Sequence, residues 1–440
     1  MNDYRQRLNS IGIEIPSILL PQGVDMRKWP VIACDQYTQD RDYWEKVKSA
    51  AAGAPSTLNL IFPEVFLADP GAEKRIADIH SAMKRYLADG VFGEPRQGFI
   101  YIERDTPYQK KRRGLIAAID LERYDWHPDA RPPVRSTEGT VAERLPPRMD
   151  IRRGAPLELP HVLLLIDDDK DDLLPSLGVR AEKAAPCYKT ELMMDCGSIT
   201  GWFLDAQDDL SFITEKLEEL YRQSCGRYGG GQPFLFAVGD GNHSLAAARG
   251  IWEEYKSSHS AGGLPNHPCR YALVEIENIY DPAIQFEPIH RVVFDADFDK
   301  TVSLLSKLPG FSCVSVESAE ELARLCKQQE DGANCFGVVS QSRYALIKTS
   351  AAGIATACLQ PLLDNYAGDS PQLIDYIHDE GEVIRLSDGP ECRAAGILLP
   401  PVQKSGLFQT VARIGPLPRK SFSMGHSCEK RFYLECRSIL

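Results

Sequence analysis

The stretch FLFAVGDGNHSLAAARGIWEEYK, residues 234–256, constrains the fold more than any other part of the chain. An apolar run ends at Gly239, which is typical of a buried strand. Apolar residues then recur at steps of three and four, as on the buried face of a helix, at Leu245, Ala248, Trp252 and Tyr255. The turn Gly-Asp-Gly-Asn-His-Ser is therefore predicted to join the end of a strand to the start of a helix.

This turn has the ingredients of an anion-binding site. The first N–H groups of a helix have no partner inside it, and the helix dipole adds partial positive charge there. Gly241 allows close backbone approach, His243 can donate a hydrogen bond or transfer a proton, and Asp240 can hold a hydroxyl group or a metal-bound water. The alternative is structural: Asp240 or Asn242 caps the helix, and the glycines permit a tight turn.

Length and charge narrow the function classes. A chain of 440 residues exceeds one typical core, so two domains, or one domain with a large appendage, are expected. The net charge of -12 repels phosphate backbones, so nucleic acid is not an expected partner. Small molecules are the expected partners, and a homodimer is left open.

Neither secretion nor membrane insertion is indicated. The N-terminus MNDYRQRLNSIGIEIP lacks a basic start followed by a long apolar centre, and no window approaches the ~20 apolar residues of a membrane span. The twelve cysteines form no Cys-x-x-Cys pair, which favours reduced thiols. These features predict a cytoplasmic protein.

The spacing of apolar residues, and the glycines and prolines that interrupt it, predict a mixed α/β body with an appended small α+β unit. The expected elements include a hairpin with the tip YQKKRR, a β-ribbon over 186–206, and a strand pair formed by RYALVEIEN and AIQFEPIHRVVF. The expected divisions are a core over 1–295, the appended unit over 296–395, and a C-terminal segment over 396–440 that returns to the core.

Five further segments can be compared with known families together with the turn. In chain order, and spread over nearly the whole chain, they are PVIACDQYTQD, TLNLIFPE, RRGLIAAIDLERYD, EPIHRVV and LPRKSFSM. With them, the turn resembles the Asp-Gly-His-His-Arg signature of the family catalogued as domain of unknown function 1015. The resemblance implies a ParB/sulfiredoxin-like core, the fold that also carries the free serine kinases.

The turn departs from that signature at two positions. Asn242 stands where the family has its first histidine, and Ser244 stands where it has arginine. Loss of the arginine removes a bidentate phosphate clamp. Either another cation replaces it, for which Arg291, Lys404 and Lys420 are candidates, or phosphate binding is weakened.

A second segment, RSTEGT at 135–140, resembles the family's His-Glu-Arg-Thr, with Glu138 and Thr140 kept. The resemblance implies that Glu138 is a base with Asp240 beside it. A carboxylate in that role takes the proton that an alcohol loses during phosphoryl transfer. The alternative is that Glu138 is an acid stabilised by the dipole at the start of a helix.

The resemblance therefore implies a nucleotide-dependent phosphotransferase that acts on a small hydroxyl metabolite, serine-like by analogy, with ATP or ADP and Mg²⁺. The expected catalytic residues are Glu138, Asp240 and His243, with Asp240 also as metal ligand. The expected nucleotide- or phosphate-binding residues are Gly239, Gly241, Asn242, Ser244, His290 and Arg291.

Two other functions use the same turn: a regulatory protein that binds a nucleotide or phosphometabolite without turnover, and a small-molecule phosphatase with water as acceptor. The acidic run IDDDKDD at 166–172 suggests a metal site, but such runs are usually solvated loops. The basic tip at 110–113 suggests nucleic acid, but no aromatic residues interleave it. Sulfiredoxin chemistry is excluded because Asn242 stands where it needs cysteine.

Overall fold

The computed structural model describes residues 2–228, 231–259, 264, 266–328, 334–351, 353–389 and 392–440. The chain forms two compact units: the first contains Met1–Ile284 and Gly425–Leu440, and the second contains Gln285–Met424. The domain boundaries expected near residues 295 and 395 stay a prediction, because the compactness of a unit does not show that it folds by itself.

Helices occur in both units, and none of those described is long and apolar enough to cross a membrane. In the first unit they are α1 Asn2–Ser10, α2 Arg41–Ala51, α3 Ala72–Ala88, α4 Leu145–Arg152, α5 Leu173–Ala181, α6 Gln207–Arg227 and α7 Asn242–Ser258. In the second unit they are α8 Phe298–Leu305, α9 Ala319–Lys327, α10 Ala355–Ala367, α11 Glu380–Ser387 and α12 Lys404–Ile414.

The described strands, of which β15 to β22 belong to the second unit, are β1 Ile13–Glu14, β2 Ser17–Ile18, β3 Val31–Ile32, β4 Arg96–Gln97, β5 Phe99–Asp105, β6 Arg112–Asp120, β7 Tyr124–Asp125, β8 Val134–Ser136, β9 Leu157–Glu158, β10 Leu163–Ile166, β11 Tyr188–Glu191, β12 Ser198–Leu204, β13 Phe236–Asp240, β14 Tyr271–Asn278, β15 Phe286–Pro288, β16 His290–Phe294, β17 Ser312–Val316, β18 Asn334–Ser340, β19 Arg343–Thr349, β20 Ile374–Ile377, β21 Ala394–Leu398, β22 Phe422–Met424, β23 Phe432–Tyr433 and β24 Arg437–Ser438.

The first unit is built on one large mixed sheet. Its strand order is β11-β12-β5-β6-β14-β10-β13-β8-β7, and β1 pairs with β6. Strand β10 is parallel to β14, and β8 is parallel to both β13 and β7. The predicted mixed α/β class is confirmed, as are the hairpin β5–β6 and the ribbon β11–β12. A ParB/sulfiredoxin-like core stays a prediction.

Apolar side chains cover both faces of this sheet. Along β6, Leu115, Ala117 and Ile119 face one hydrophobic cluster and Ile116 faces the other, because neighbouring side chains of a strand point to opposite faces. Helix α7 packs Leu245, Ala248 and Trp252 into the first cluster, as the sequence spacing predicts. The start of α7 is therefore held against the core.

The second unit has an antiparallel sheet in the order β17-β19-β18-β21-β16-β20. The predicted strand pair of RYALVEIEN with AIQFEPIHRVVF is wrong. Strand β14 already has β6 on one edge and β10 on the other, so it has no free edge. Strand β16 instead pairs with β20 and β21. Hydrophobic alternation identified both strands but not their partners.

Candidate active site of the first unit

The predicted turn covers the end of β13 and the start of α7, with Gly241 alone between the two elements. Gly241 is the residue before the helix, with φ of +82°, a left-handed conformation that favours glycine. A Cβ atom at this position would lie 3.0 Å from Val162 Cα and 3.5 Å from His161 Cδ2. Glycine is therefore needed both for its backbone conformation and for the close approach of the segment that leads into β10.

Replacement of Gly241 with alanine is expected to lower the free energy of unfolding by about 2–4 kcal/mol, since strain and crowding add. The matched control is Gly53→Ala. Gly53 also has a positive φ, +75°, but no atom lies within 4 Å of the place that a Cβ would take there. Gly53→Ala should cost about 1–2 kcal/mol. Urea unfolding followed by circular dichroism measures both; equal losses would contradict the close-approach argument.

Parallel pairing of β8 with β13 brings two predicted site residues to one edge of the sheet. Ser136 is the register partner of Val238, so Glu138 and Asp240 each follow that pair by two residues. The carboxyl ends of parallel strands meet at the same edge. Thr137 Oγ1 donates to Val238 O at 2.6 Å, which holds the two chain ends together beyond the last paired residues.

His243, in the first turn of α7, contacts the loop that carries Glu138. The Val141 N–H donates to His243 Nε2 at 3.3 Å. In a neutral imidazole the other ring nitrogen then carries the proton. His243 is therefore a donor through Nδ1 in this arrangement, and the structure brings the Glu138 loop, Asp240 and His243 together.

Asn242 begins α7 with a buried polar atom. Its Oδ1 accepts no hydrogen bond from the described part of the chain. Rotation of the amide by half a turn would present the NH₂ group at the same place, since the two ends are nearly the same in shape. A buried group of this kind at a helix start calls for a polar partner.

Asp240 faces a cation that the sequence interpretation did not name. Its Oδ1 accepts from the Gly241 N–H at 3.0 Å. Its Oδ2 lies 3.4 Å from Lys430 Nζ. The Lys430 side chain is only 8% exposed, so its ammonium group is directed at this edge and not into bulk water. A lysine from the C-terminal segment thus supplies positive charge beside the turn.

Arg104 and β23 place Lys430. The Arg104 guanidinium donates to three consecutive carbonyl oxygens, those of Cys428 at 2.5 Å, Glu429 at 3.0 Å and Lys430 at 2.5 Å. Strand β23 pairs antiparallel with β3. The backbone before Lys430 is therefore bound to β5 of the large sheet, and the backbone after it to β3 in a separate two-stranded sheet, which restricts where its side chain can reach.

A buried His-Tyr-Cys group lies behind Gly241. Tyr433 OH is 2.7 Å from His161 Nδ1 and 3.1 Å from Cys34 Sγ. His161 Nε2 lies 3.7 Å from Asp35 Oδ2. Burial raises the pKa of the Cys34 thiol well above its usual range, so this cysteine is not a thiolate nucleophile near neutral pH.

A partly buried ion pair lies next to the group around Tyr433. Glu64 Oε1 lies 2.5 Å from Arg148 Nη2, and both side chains are less than one-fifth exposed. Burial raises the pKa of Glu64, while Arg148 acts against that shift. The Glu64 N–H also donates to Cys34 O at 2.8 Å, which joins this pair to the group around Tyr433.

The sequence interpretation missed Asp35, Glu64, His161, Lys430 and Tyr433. Asp35 and Glu64 lie inside PVIACDQYTQD and TLNLIFPE, so the family segments contained a usable signal. His161, Lys430 and Tyr433 belong to no pattern that distinguishes them from other polar residues. Only the pairing of distant strands brings them to the turn.

The profile described as "Protein of unknown function (DUF1015)" matches residues 19–366. The chain belongs to this family. No curated protein matches it. Among solved structures, the DUF1015 chain is similar to free serine kinase in complex with AMP, at 13% identity and a TM-score of 0.36, over 75% of this chain and 94% of that one.

Two further structures are similar to the DUF1015 chain. A conserved hypothetical protein from Pyrococcus furiosus has 13% identity and a TM-score of 0.32, over 72% of this chain and 90% of that one. A C-terminally truncated SbnI from Staphylococcus aureus has 8% identity and a TM-score of 0.35, over 72% and 85%. Similarity at this level carries no argument about the residues of the site.

His290 and Arg291 of the DUF1015 chain belong to the second unit, as do Lys404 and Lys420. His290 Nδ1 accepts from the Leu399 N–H at 3.0 Å, and burial lowers its pKa to about 4. Arg291 is fully buried, and its guanidinium donates to Gln360 Oε1 and to Lys420 O, each at 3.0 Å. Their role in phosphate binding stays a prediction.

The acidic run at 166–172 and the basic tip at 110–113, considered above for metal and nucleic-acid binding, both contain charged side chains that pair within the protein. In the acidic run, Asp167 pairs with Arg227 at 3.0 Å, and Asp168 Oδ2 accepts from the first N–H groups of α5. In the basic tip, Arg112 pairs with buried Glu277 at 2.8 Å. The described residues contain no group of three or more His, Cys, Asp or Glu side chains arranged to hold a metal ion.

Proposed function

We propose that this DUF1015 protein is a nucleotide-dependent phosphotransferase that acts on a small hydroxyl-bearing metabolite. A serine-like acceptor and an adenine nucleotide are what the sequence resemblance implies. The observation that carries the proposal is the parallel pairing of β8 with β13, which supports a shared edge for Glu138, Asp240 and the start of α7. Lys430 adds a cation beside Asp240.

Phosphate binding in the proposal uses the start of α7. The N–H groups of Asn242, His243 and Ser244 lead the helix and have no acceptor within it. No acidic residue occupies the first turn of α7, and the nearest carboxylate, that of Asp240 just before the helix, is itself paired with Lys430. Lys430 takes the place of the missing motif arginine as a point charge, without the bidentate geometry of a guanidinium.

Proton transfer in the proposal uses Glu138. The residue is half-buried, which suits a carboxylate that must contact a substrate hydroxyl. It accepts the hydroxyl proton as the new bond to phosphorus forms. Asp240, held by the Gly241 N–H, orients the acceptor from the neighbouring strand. His243 donates to the phosphoryl oxygens as negative charge moves toward the leaving group.

A magnesium ion bound to the nucleotide would supply charge neutralisation across the phosphates. Asp240 fits this ion in one respect: its buried Oδ2 accepts no hydrogen bond from the described residues, although it lies 3.4 Å from Lys430 Nζ. The absence of a three-ligand group among those residues is compatible with an ion that arrives with its phosphates, since Mg²⁺ commonly uses one or two carboxylates.

Turnover tests the proposal. The protein is incubated with ATP or ADP, Mg²⁺ and a pool of small alcohols that includes serine, and ³¹P NMR follows the phosphorus species. A new phosphomonoester signal is the expected result. Release of orthophosphate without an acceptor would favour the phosphatase instead. Tight nucleotide binding with neither product would reject the kinase and leave a nucleotide-binding regulatory protein, which the loss of the motif arginine to Ser244 favours.

Lys430→Met is expected to weaken nucleotide binding about tenfold, since a charge-assisted contact with phosphate is lost while the length of the side chain is kept. Lys189→Met is the matched control, because Lys189 is an exposed lysine on β11 of the same unit. Isothermal titration calorimetry with ADP measures both variants. An unchanged Kd for Lys430→Met would remove Lys430 from the phosphate site.

A further inference from the structure

The second unit contains a cavity that none of the proposed chemistry uses. Its volume is about 480 Å³, within the size range of small-molecule sites. The wall combines apolar residues such as Ile354, Leu399 and Val402 with the polar side chains of Thr356, Thr410 and Arg413. None of the described lining residues is acidic, although the whole chain has a net charge of -12.

Two helices begin at this cavity. Residues 354–356 at the start of α10 and residues 403, 405 and 406 at the start of α12 line it. Neither helix has a side-chain cap or an acidic residue in its first turn. The other described helices of this unit begin differently, with caps from Asp297, Ser318 and Asp379 and with acidic first turns. Two uncompensated positive helix ends therefore face one space.

Thr410 gives an independent sign of a ligand. The residue is only 4% exposed and lines the cavity. Its hydroxyl makes no hydrogen bond to the described residues, and its oxygen is not among the fully enclosed polar atoms, so it opens onto the cavity. A hydroxyl on a nearly buried side chain that opens only onto a cavity is available to a polar group of a ligand bound there. Thr356, also on the wall, is different, because its hydroxyl already donates to Ser421 Oγ at 2.9 Å.

Arg413 supplies the charge. It lies at the end of α12, and one guanidinium nitrogen would be 3.0 Å from a Cβ at Gly353, just before α10. No carboxylate in the described part of the chain forms an ion pair with it. A guanidinium beside the start of α10, in a cavity that the start of α12 also lines and that has no acid among its described lining residues, is a strong arrangement for an oxyanion.

We infer that this cavity binds a small organic oxyanion, a molecule with one phosphate or carboxylate group and an apolar body. The oxyanion contacts the starts of α10 and α12, Thr410 and Arg413. The apolar body contacts Ile354, Leu399 and Val402. The ligand is recognised within the second unit, and the inference does not depend on phosphoryl transfer at the turn before α7.

Phenyl phosphate, benzoate and inorganic phosphate are the probes, titrated into the full chain. The methyl resonance of Ile354, assigned with Ile354→Val, reports binding in this cavity alone. We expect saturable shifts with phenyl phosphate, benzoate or both, and weaker binding of inorganic phosphate, which lacks the apolar body. Response to only one of the two organic probes identifies phosphate or carboxylate as the preferred group.

Two variants and one control test whether Arg413 and Thr410 bind the probe. Arg413→Gln should raise the Kd of the bound probe at least about tenfold, and Thr410→Val about threefold. Arg385→Gln, which removes an exposed arginine paired with Glu382 at 2.6 Å, should leave the Kd unchanged. No shift at Ile354 with any probe would overturn the inference, as would equal effects of Arg413→Gln and Arg385→Gln.

Discussion

Glu138→Gln is expected to lower kcat about 10²- to 10⁴-fold, the usual contribution of a positioned base. Glutamine keeps the shape of the side chain but does not accept the hydroxyl proton. The Kd for nucleotide should stay within about twofold, because a base acts in the transition state more than in ground-state binding. Product formation by ³¹P NMR and ADP titration by calorimetry measure the two quantities on one preparation.

The matched control is Glu143→Gln, which changes an exposed glutamate a few residues further along the same loop region. Its kcat and Kd should both equal those of the wild type. Parallel losses of turnover and affinity in Glu138→Gln would assign Glu138 a structural role, in agreement with the alternative that it stabilises a helix start.

Arg431→Met is expected to lower the free energy of unfolding by about 3–5 kcal/mol, because it leaves buried carboxylates without their partner. Arg431 is 1% exposed. Its guanidinium lies 3.1 Å from Glu275 Oε2 and also pairs with Glu435, and both carboxylates are almost fully buried. Urea unfolding followed by circular dichroism gives the difference from the wild-type protein.

Arg153→Met is the control for this second prediction. Arg153 pairs with Glu254 at 2.8 Å, but both side chains are nearly half exposed. Water screens such a pair, so its loss should cost only about 0–1 kcal/mol. A similarly small loss in both variants would contradict the view that the buried ion pairs hold the C-terminal segment, and with it Lys430, in the first unit.

Local sequence predicted the central turn well. The apolar run before Gly239 predicts β13, and the spacing of Leu245, Ala248 and Trp252 predicts α7. Both predictions succeed because the apolar pattern of a strand or helix depends only on which of its own side chains are buried. The capping residue was not predicted: the sequence left Asp240 or Asn242 for that place, whereas Gly241 precedes the helix and no side chain caps it. The five segments that accompany the turn occur in the same order as the motifs of the DUF1015 family. That order was sufficient to identify the family.

Contacts between distant segments were not predictable in this way. Lys430 reaches Asp240 only because β23 pairs with β3 and because Arg104 binds three carbonyl groups of the C-terminal segment. Neither contact leaves a periodic pattern in the sequence. Strand partners have the same difficulty: alternation identifies β14 and β16 but does not say which edge each one uses.

A crystal structure of the protein with ADP and Mg²⁺ tests the central claim most directly. We predict phosphate density within hydrogen-bond distance of the backbone N–H groups of Asn242 to Ser244, with Lys430 Nζ and Asp240 beside it. Phosphates bound elsewhere, for example in the cavity of the second unit, with the start of α7 bearing only water, would contradict the account.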